Sequence, residues 1–194
     1  NTLNSENYSF DMNTSSIGSI NFSSLRGVAY NGEFFALGET DNKNIYIWKG
    51  IPGLNDEPDY IIQNPVGVGR IDMNDEWLVV SAYPGAGSPV HVINLTNLDS
   101  GIMLPVPGND DFPQGVSINE KGFFIALQGS NKVVGWSSVQ DALNGSSPTM
   151  SFGGTTNKTN SGTKMASTVH WDGFHLWVGE FKFSNRLLGF APSK

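Results

Sequence analysis

The chain has 194 residues, a formal net charge of -7, 15% charged residues and no cysteine. That length buries a core without disulfide or metal staples, and the acidic balance excludes a phosphate-neutralising nucleic-acid surface because no Lys/Arg cluster exists. No run of about 18 apolar residues occurs, so no membrane-spanning helix is expected, and 23 glycines with 10 prolines forecast many short strands and tight turns.

In chain order, residues 4–11 (NSENYSFD) read first, as an outer strand without a sheet of its own. Strands are then expected at 27–30, 34–38, 45–48 and 59–62, the second of them rich in aromatic and aliphatic residues. The same order returns at 70–73, 77–81, 90–93 and 102–104, and again at 115–118, 123–127, 133–136 and 149–152. A last set, 168–171, 175–179 and 187–190, stops short of a fourth strand. With Val28, Ile71, Val116 and Val169 taken as equivalent, the spacings are 43, 45 and 53 residues, the longest holding a polar insertion at 153–164.

A period of about 40–50 residues, with four short strands in each, is the signature of propeller blades. The expectation is therefore an all-β, single-domain β-propeller over 1–194, with four four-stranded blades at approximately 23–64, 65–111, 112–154 and 165–194. Residues 1–12 supply the strand missing after Phe190, which makes 1–12 with 165–194 the blade seam. Three uses of that strand stay open: closing its own ring, completing a second copy by strand addition, or belonging to a longer array.

The segments 44–52 (NIYIWKGIP), 131–136 (NKVVGW) and 185–190 (NRLLGF) resemble the N-R-V-L-x-W third strand of NHL-repeat propellers. The segment 83–89 (YPGAGSP) departs from that pattern. The resemblance implies an axial face formed by the loops entering the first strands and those between second and third strands. Ligand-binding candidates on or near that axis are Glu39, Asp72, Gln128, His170 and Glu180, near Thr40, Asp41, Tyr83 and Lys182. The approaches Asn64, Asp110, Asp111 and Lys164 border the same face. Propellers of this kind serve as binding platforms and as lactonase-like hydrolases or lyases. Glu39 and Glu180, at equivalent positions, are the candidates for a Ca²⁺ ion, and no other cofactor is expected.

Other chemistry is thin. His91, His170 and His175 fall on different strand columns, and without cysteine or an HExxH pair no zinc site is expected. No nucleophile elbow or phosphate loop is present, and Asp75-Glu76 and Asp110-Asp111 read as solvated turns. Of the five tryptophans, Trp48, Trp77, Trp136 and Trp177 fall on repeat columns of second or third strands and Trp171 ends a first strand, and they read as filling between blades. Six Asn-x-Ser/Thr acceptors, at Asn7, Asn13, Asn21, Asn94, Asn144 and Asn157, avoid the first and second strands, which suits N-linked glycans on the rim. A chain that starts at Asn1 rather than Met reads as processed or excerpted. The composite expectation is a non-enzymatic extracellular or cell-surface glycoprotein that binds a protein partner or itself. The alternative is a Ca²⁺-dependent hydrolase or lyase working on the axial face.

Overall fold

The computed structural model describes residues 15–83, 89–106, 112–154, 162–181 and 186–191. A small hairpin, β1 (Ser16–Ile17) and β2 (Ile20–Asn21), comes first. The first blade is β3 (Leu25–Tyr30), β4 (Phe34–Glu39), β5 (Asn44–Lys49) and β6 (Tyr60–Gln63). The second is β7 (Val68–Met73), β8 (Trp77–Ala82), β9 (Val90–Asn94) and β10 (Asn97–Leu104). The third is β11 (Pro113–Asn119), β12 (Gly122–Leu127), β13 (Lys132–Trp136) and β14 (Met150–Gly153), with a short helix α1 (Val139–Leu143) before its last strand. The fourth shows β15 (Ala166–Trp171), β16 (Leu176–Glu180) and β17 (Leu187–Phe190). Each blade is an antiparallel meander in chain order, so the all-β propeller with four blades stands. The expected outer strand at 1–12 lies outside the described residues.

Local chemistry sets the hairpins. The turn from first to second strand carries Asn31, Asn74, Asn119 and Asp172 at one repeat position, and each side chain accepts backbone N–H bonds from the residues that follow. Asn31 Oδ1 takes Glu33 N at 3.0 Å and Phe34 N at 2.8 Å, and Asn74 Oδ1 takes Glu76 N at 3.0 Å and Trp77 N at 2.7 Å. Asn119 Oδ1 takes Lys121 N at 2.7 Å, and Asp172 Oδ1 takes Phe174 N and His175 N, both at 2.7 Å. Short amide and carboxylate side chains close such turns on their own backbone, which fixes where each second strand starts.

The core lies between blades. Ala36, Ile45 and Ile47 of the first blade meet Ile71, Leu78 and Val80 of the second. Val79, Val90 and Val92 of the second meet Val116, Phe123 and Ile125 of the third. Phe124, Ala126 and Val133 of the third meet Val169, Leu176 and Val178 of the fourth. The near-continuous apolar second strands follow from this, because both of their faces are covered. The β1–β2 hairpin lays Ile17 over Leu37, Tyr46 and Trp48, covering part of the outward face of the first blade.

The outer faces of the end blades are less covered. Val28 is 60% exposed, whereas its repeat equivalents Ile71, Val116 and Val169 are 7%, 5% and 7%. On the far face of the fourth blade Leu187 is 69% exposed, whereas its equivalents Ile45, Val90 and Val133 are fully buried. The first and last blades thus leave uncovered the columns that every internal blade buries.

Packing near the axis is tight. A Cβ on Gly115 would lie 2.8 Å from the Ser167 carbonyl oxygen and 2.9 Å from Thr168 Cα, both backbone atoms of the next blade. Gly115→Ala is expected to destabilise the fold by about 1–3 kcal/mol through this overpacking. Urea unfolding would check it, and a shift under about 0.5 kcal/mol would contradict such close blade packing.

Two features differ from the sequence expectation. In the second blade the third and fourth strands join by a tight turn, and the fourth strand is longer than the expected 102–104. Asn94 Oδ1 accepts Thr96 N at 2.8 Å and Thr96 Oγ1 at 2.6 Å there, so the last strand begins at Asn97 instead of Ile102. The helix α1 was not expected because five residues carry little periodicity. Ser138 caps it, its Oγ accepting Asp141 N at 3.0 Å.

Candidate functional site

Each first strand slips register once, between Leu25 and Gly27, Val68 and Ile71, Pro113 and Gly115, and Ala166 and Thr168. A bulge takes a residue out of the ladder and re-aims its side chain. The residues at these slips include Arg26, Arg70, Gln114 and Ser167, and all four line one cavity of about 340 Å³ at the axis. Tyr83 and Phe181, which follow the second and fourth blades' second strands, complete the wall together with Phe112 and Gln128 of the third. All four blades therefore contribute to a single axial mouth.

The mouth is internally organised. The Arg26 guanidinium lies 3.6 Å from the centre of the Tyr83 ring, and Arg70 Nη1 donates to the Arg26 carbonyl at 3.0 Å. Gln128 Nε2 donates to Ser167 Oγ at 2.7 Å, and Ser167 Oγ donates to the Met165 carbonyl at 3.1 Å. Among the described residues no Asp or Glu lines the cavity.

The candidates from sequence divide sharply. Gln128 and Tyr83 line the mouth. Glu39 is buried and accepts Ser23 N at 2.7 Å, Ser23 Oγ at 2.8 Å, Asn42 Nδ2 at 3.0 Å and Tyr46 Oη at 3.0 Å. Burial raises its pKa, but the donors from Ser23, Asn42 and Tyr46 outweigh burial and hold it below its ordinary value. Glu180 takes Arg186 Nε and Nη2, both at 2.8 Å, and Lys164 N at 2.5 Å. Both glutamates thus tie loops to second strands.

Asp72 joins two blades. Its Oδ2 accepts Ile118 N of the third blade at 2.9 Å and its Oδ1 accepts Met73 N at 3.0 Å. Burial pushes its carboxyl up, against the pull of those bonds, a bond from Ser117 and the charge of His170. Ser117, in the same column, accepts Trp171 N of the fourth blade at 3.3 Å through Oγ, so the column works as a strut from blade to blade. His170 is exposed at the open end of that column. His91 is buried, its Nδ1 2.9 Å from Asn64 Oδ1, and burial depresses its pKa, which keeps the ring neutral. Among the described residues no group of three His, Cys, Asp or Glu is placed to hold a metal ion.

Sequence reasoning missed Arg26, Arg70, Gln114 and Ser167. The signal was available only as a column one residue ahead of each repeated apolar run, and a bulge cannot be told from a ladder position without the partner strand. Of the glycan acceptors, Asn21 and Asn144 are exposed and Asn94 is half-buried in its turn. Asn7, Asn13 and Asn157 lie outside the described residues, as do Lys182, Asp110 and Asp111.

No protein-family model matches the sequence and no curated protein matches it. Solved structures do resemble it. A chain of the nidogen/laminin complex superposes with a TM-score of 0.65 at 12% identity, over 88% of this chain and 60% of that one. The computationally designed Ika4 protein gives 0.61 at 9% identity, over 94% and 100%. The Cps50 (Swd1) β-propeller domain of Myceliophteria thermophila gives 0.57 at 11% identity, over 80% and 49%. At such identities the likeness establishes the propeller architecture alone. The chain spans about half of the Cps50 structure and three-fifths of the nidogen/laminin one.

Proposed function

We propose that this chain is a non-enzymatic, extracellular or cell-surface, glycosylated interaction module that binds its ligand at the axial mouth. The observation that carries this reading is the division of labour among polar side chains. Glu39, Glu180 and Asp72 are taken up in holding loops and blades, while the bulges aim Arg26, Arg70, Gln114 and Ser167 into a shared cavity. Such a set recognises by hydrogen bonding and charge, and it offers no paired nucleophile and base. The Asn-Lys and Asn-Arg approaches to third strands support NHL-like blades, and the exposure of Asn21 and Asn144 supports glycan attachment.

The test is the protein as secreted by a eukaryotic cell. Its mass should exceed the 21.0 kDa polypeptide by whole glycan increments and return to it on deglycosylation. A mass of 21.0 kDa before treatment would remove the glycoprotein part of the reading. Stoichiometric Ca²⁺ retained through purification would favour the hydrolase or lyase instead.

Self-association is the second part of the reading, supported by the uncovered columns at Val28 and Leu187. A face from one end meeting the other end of a second copy is a head-to-tail contact, which closes into a ring when the rotation allows. Sedimentation should then show a concentration-dependent dimer that Val28→Glu or Leu187→Glu shifts to monomer by at least about tenfold in Kd. A parent chain that stays monomeric at high concentration contradicts it.

A further inference from the structure

The reading of the axial mouth as a binding site is the foundation for a statement about what it binds. We propose that the mouth recognises a carboxylate, with Arg26 and Arg70 as the charged donors and Gln114 and Gln128 as neutral polar neighbours.

Charge placement is the first argument. The chain holds only 11 Lys and Arg against 18 Asp and Glu, yet two arginines occupy bulges of adjacent blades at the axis. Among the described residues no carboxylate lines the cavity, and neither guanidinium enters an ion pair. Two cationic groups in one concavity focus a positive potential on a protein that is otherwise acidic.

Geometry is the second. Tyr83 stacks under Arg26, and the Arg26 carbonyl takes one N–H of Arg70, so both side chains are oriented before a ligand arrives. A guanidinium stacked by its face keeps its in-plane N–H edge for an acceptor, and that edge matches the two oxygens of a carboxylate. The fixed Gln128–Ser167 bond orders the opposite wall.

Size and polarity select among anions. A cavity of about 340 Å³ that also presents Phe112 and the half-exposed Phe181 suits an organic acid with an apolar body better than an inorganic ion. The carboxylate has two sources, a free small acid or an acidic side chain of a peptide.

The experiment uses the full chain in calorimetric titration with four probes: succinate, the capped tripeptide Ala-Glu-Ala, its Ala-Gln-Ala counterpart, and inorganic phosphate. Saturable binding of succinate or of the Glu peptide is expected, at least tenfold tighter than the Gln peptide and phosphate, and weakened at least tenfold by raising salt to about 0.5 M. Preference for succinate assigns a free acid, and preference for the Glu peptide assigns a side chain. The double variant R26Q/R70Q should lose at least tenfold in affinity, while Lys121→Gln in a distant turn should change nothing. If the double variant fails to fold, R26Q alone and the salt dependence carry the test.

Equal binding of the Glu and Gln peptides, or unchanged binding in R26Q/R70Q, overturns the carboxylate assignment. If the Gln peptide binds and Ser167→Trp abolishes it, the mouth is still a binding site and only its ligand class is wrong. If no probe binds, the carboxylate assignment falls, whereas the interaction-module reading rests on mass, metal content and association.

Discussion

Phe123→Ala is expected to lower the unfolding free energy by about 3–5 kcal/mol, the range for removing a fully buried phenylalanine. The ring is wholly inaccessible and stacks on Trp136 with centroids 5.6 Å apart and planes 23° from parallel. It sits between the second and third blades, among Trp77, Val79, Val116 and Ile125. Two features make collapse into the cavity difficult. Backbone ladders on both sides hold Phe123 opposite Ile118 and Trp136, and the stacked Trp136 is itself pinned, its Nε1 donating to the Ser146 carbonyl at 2.8 Å. The variant should unfold in urea as a single transition at a lower midpoint, because the damaged junction couples two internal blades. Phe123→Leu, which keeps most of the volume, should lose far less. If alanine were to cost under about 1 kcal/mol, burial between blades would not be the main source of stability.

Glu39→Gln should destabilise the chain by roughly 1–2 kcal/mol at neutral pH, since the buried Tyr46 hydroxyl and the donors of Ser23 and Asn42 lose a charged acceptor. Four donors converge on the carboxylate, two of them from Ser23 on the segment that enters the first blade. The amide of glutamine has one acceptor oxygen and turns an NH₂ toward the remaining donors. The effect is pH-dependent with a definite sign. The folded pKa lies below the ordinary value of 4.5, so the carboxylate's contribution is complete above 4.5 and is lost as pH falls through and below that value. The gap between parent and variant should therefore hold above about pH 5 and narrow as pH falls below about 4.5. A gap that stays constant through that fall would mean that the charge on Glu39 is not what holds Ser23.

Much of this frame was legible in the chain. In the column Val28, Ile71, Val116, Val169 the last three face the preceding blade, because burial demands the same residue class wherever the environment repeats, and Val28 keeps that class on an uncovered face. Large residues at Trp48, Ile93, Trp136 and Phe190 likewise pair with the starts of the second strands. The site was legible only in part. Tyr83 and Gln128 were found because loop position follows from strand order, whereas Glu39 and Glu180 were expected at the axial face and instead anchor their own loops. An acidic residue at a strand end has the same sequence signature whether it faces water, a ligand or four local donors. Arg26 and Arg70 stayed hidden for a different reason: a register slip belongs to a pair of strands, and a single strand read alone does not contain it.

The register slips have a consequence for how such a protein changes over time. A residue outside the ladder contributes little to strand pairing, so Arg26, Gln114 or Ser167 can be exchanged while the struts, turns and inter-blade core go on specifying the same blades. On the proposed reading, recognition is written in a few characters, one from each blade, on a page whose binding is elsewhere. New specificity then arises by rewriting those characters, and duplicating a blade adds another.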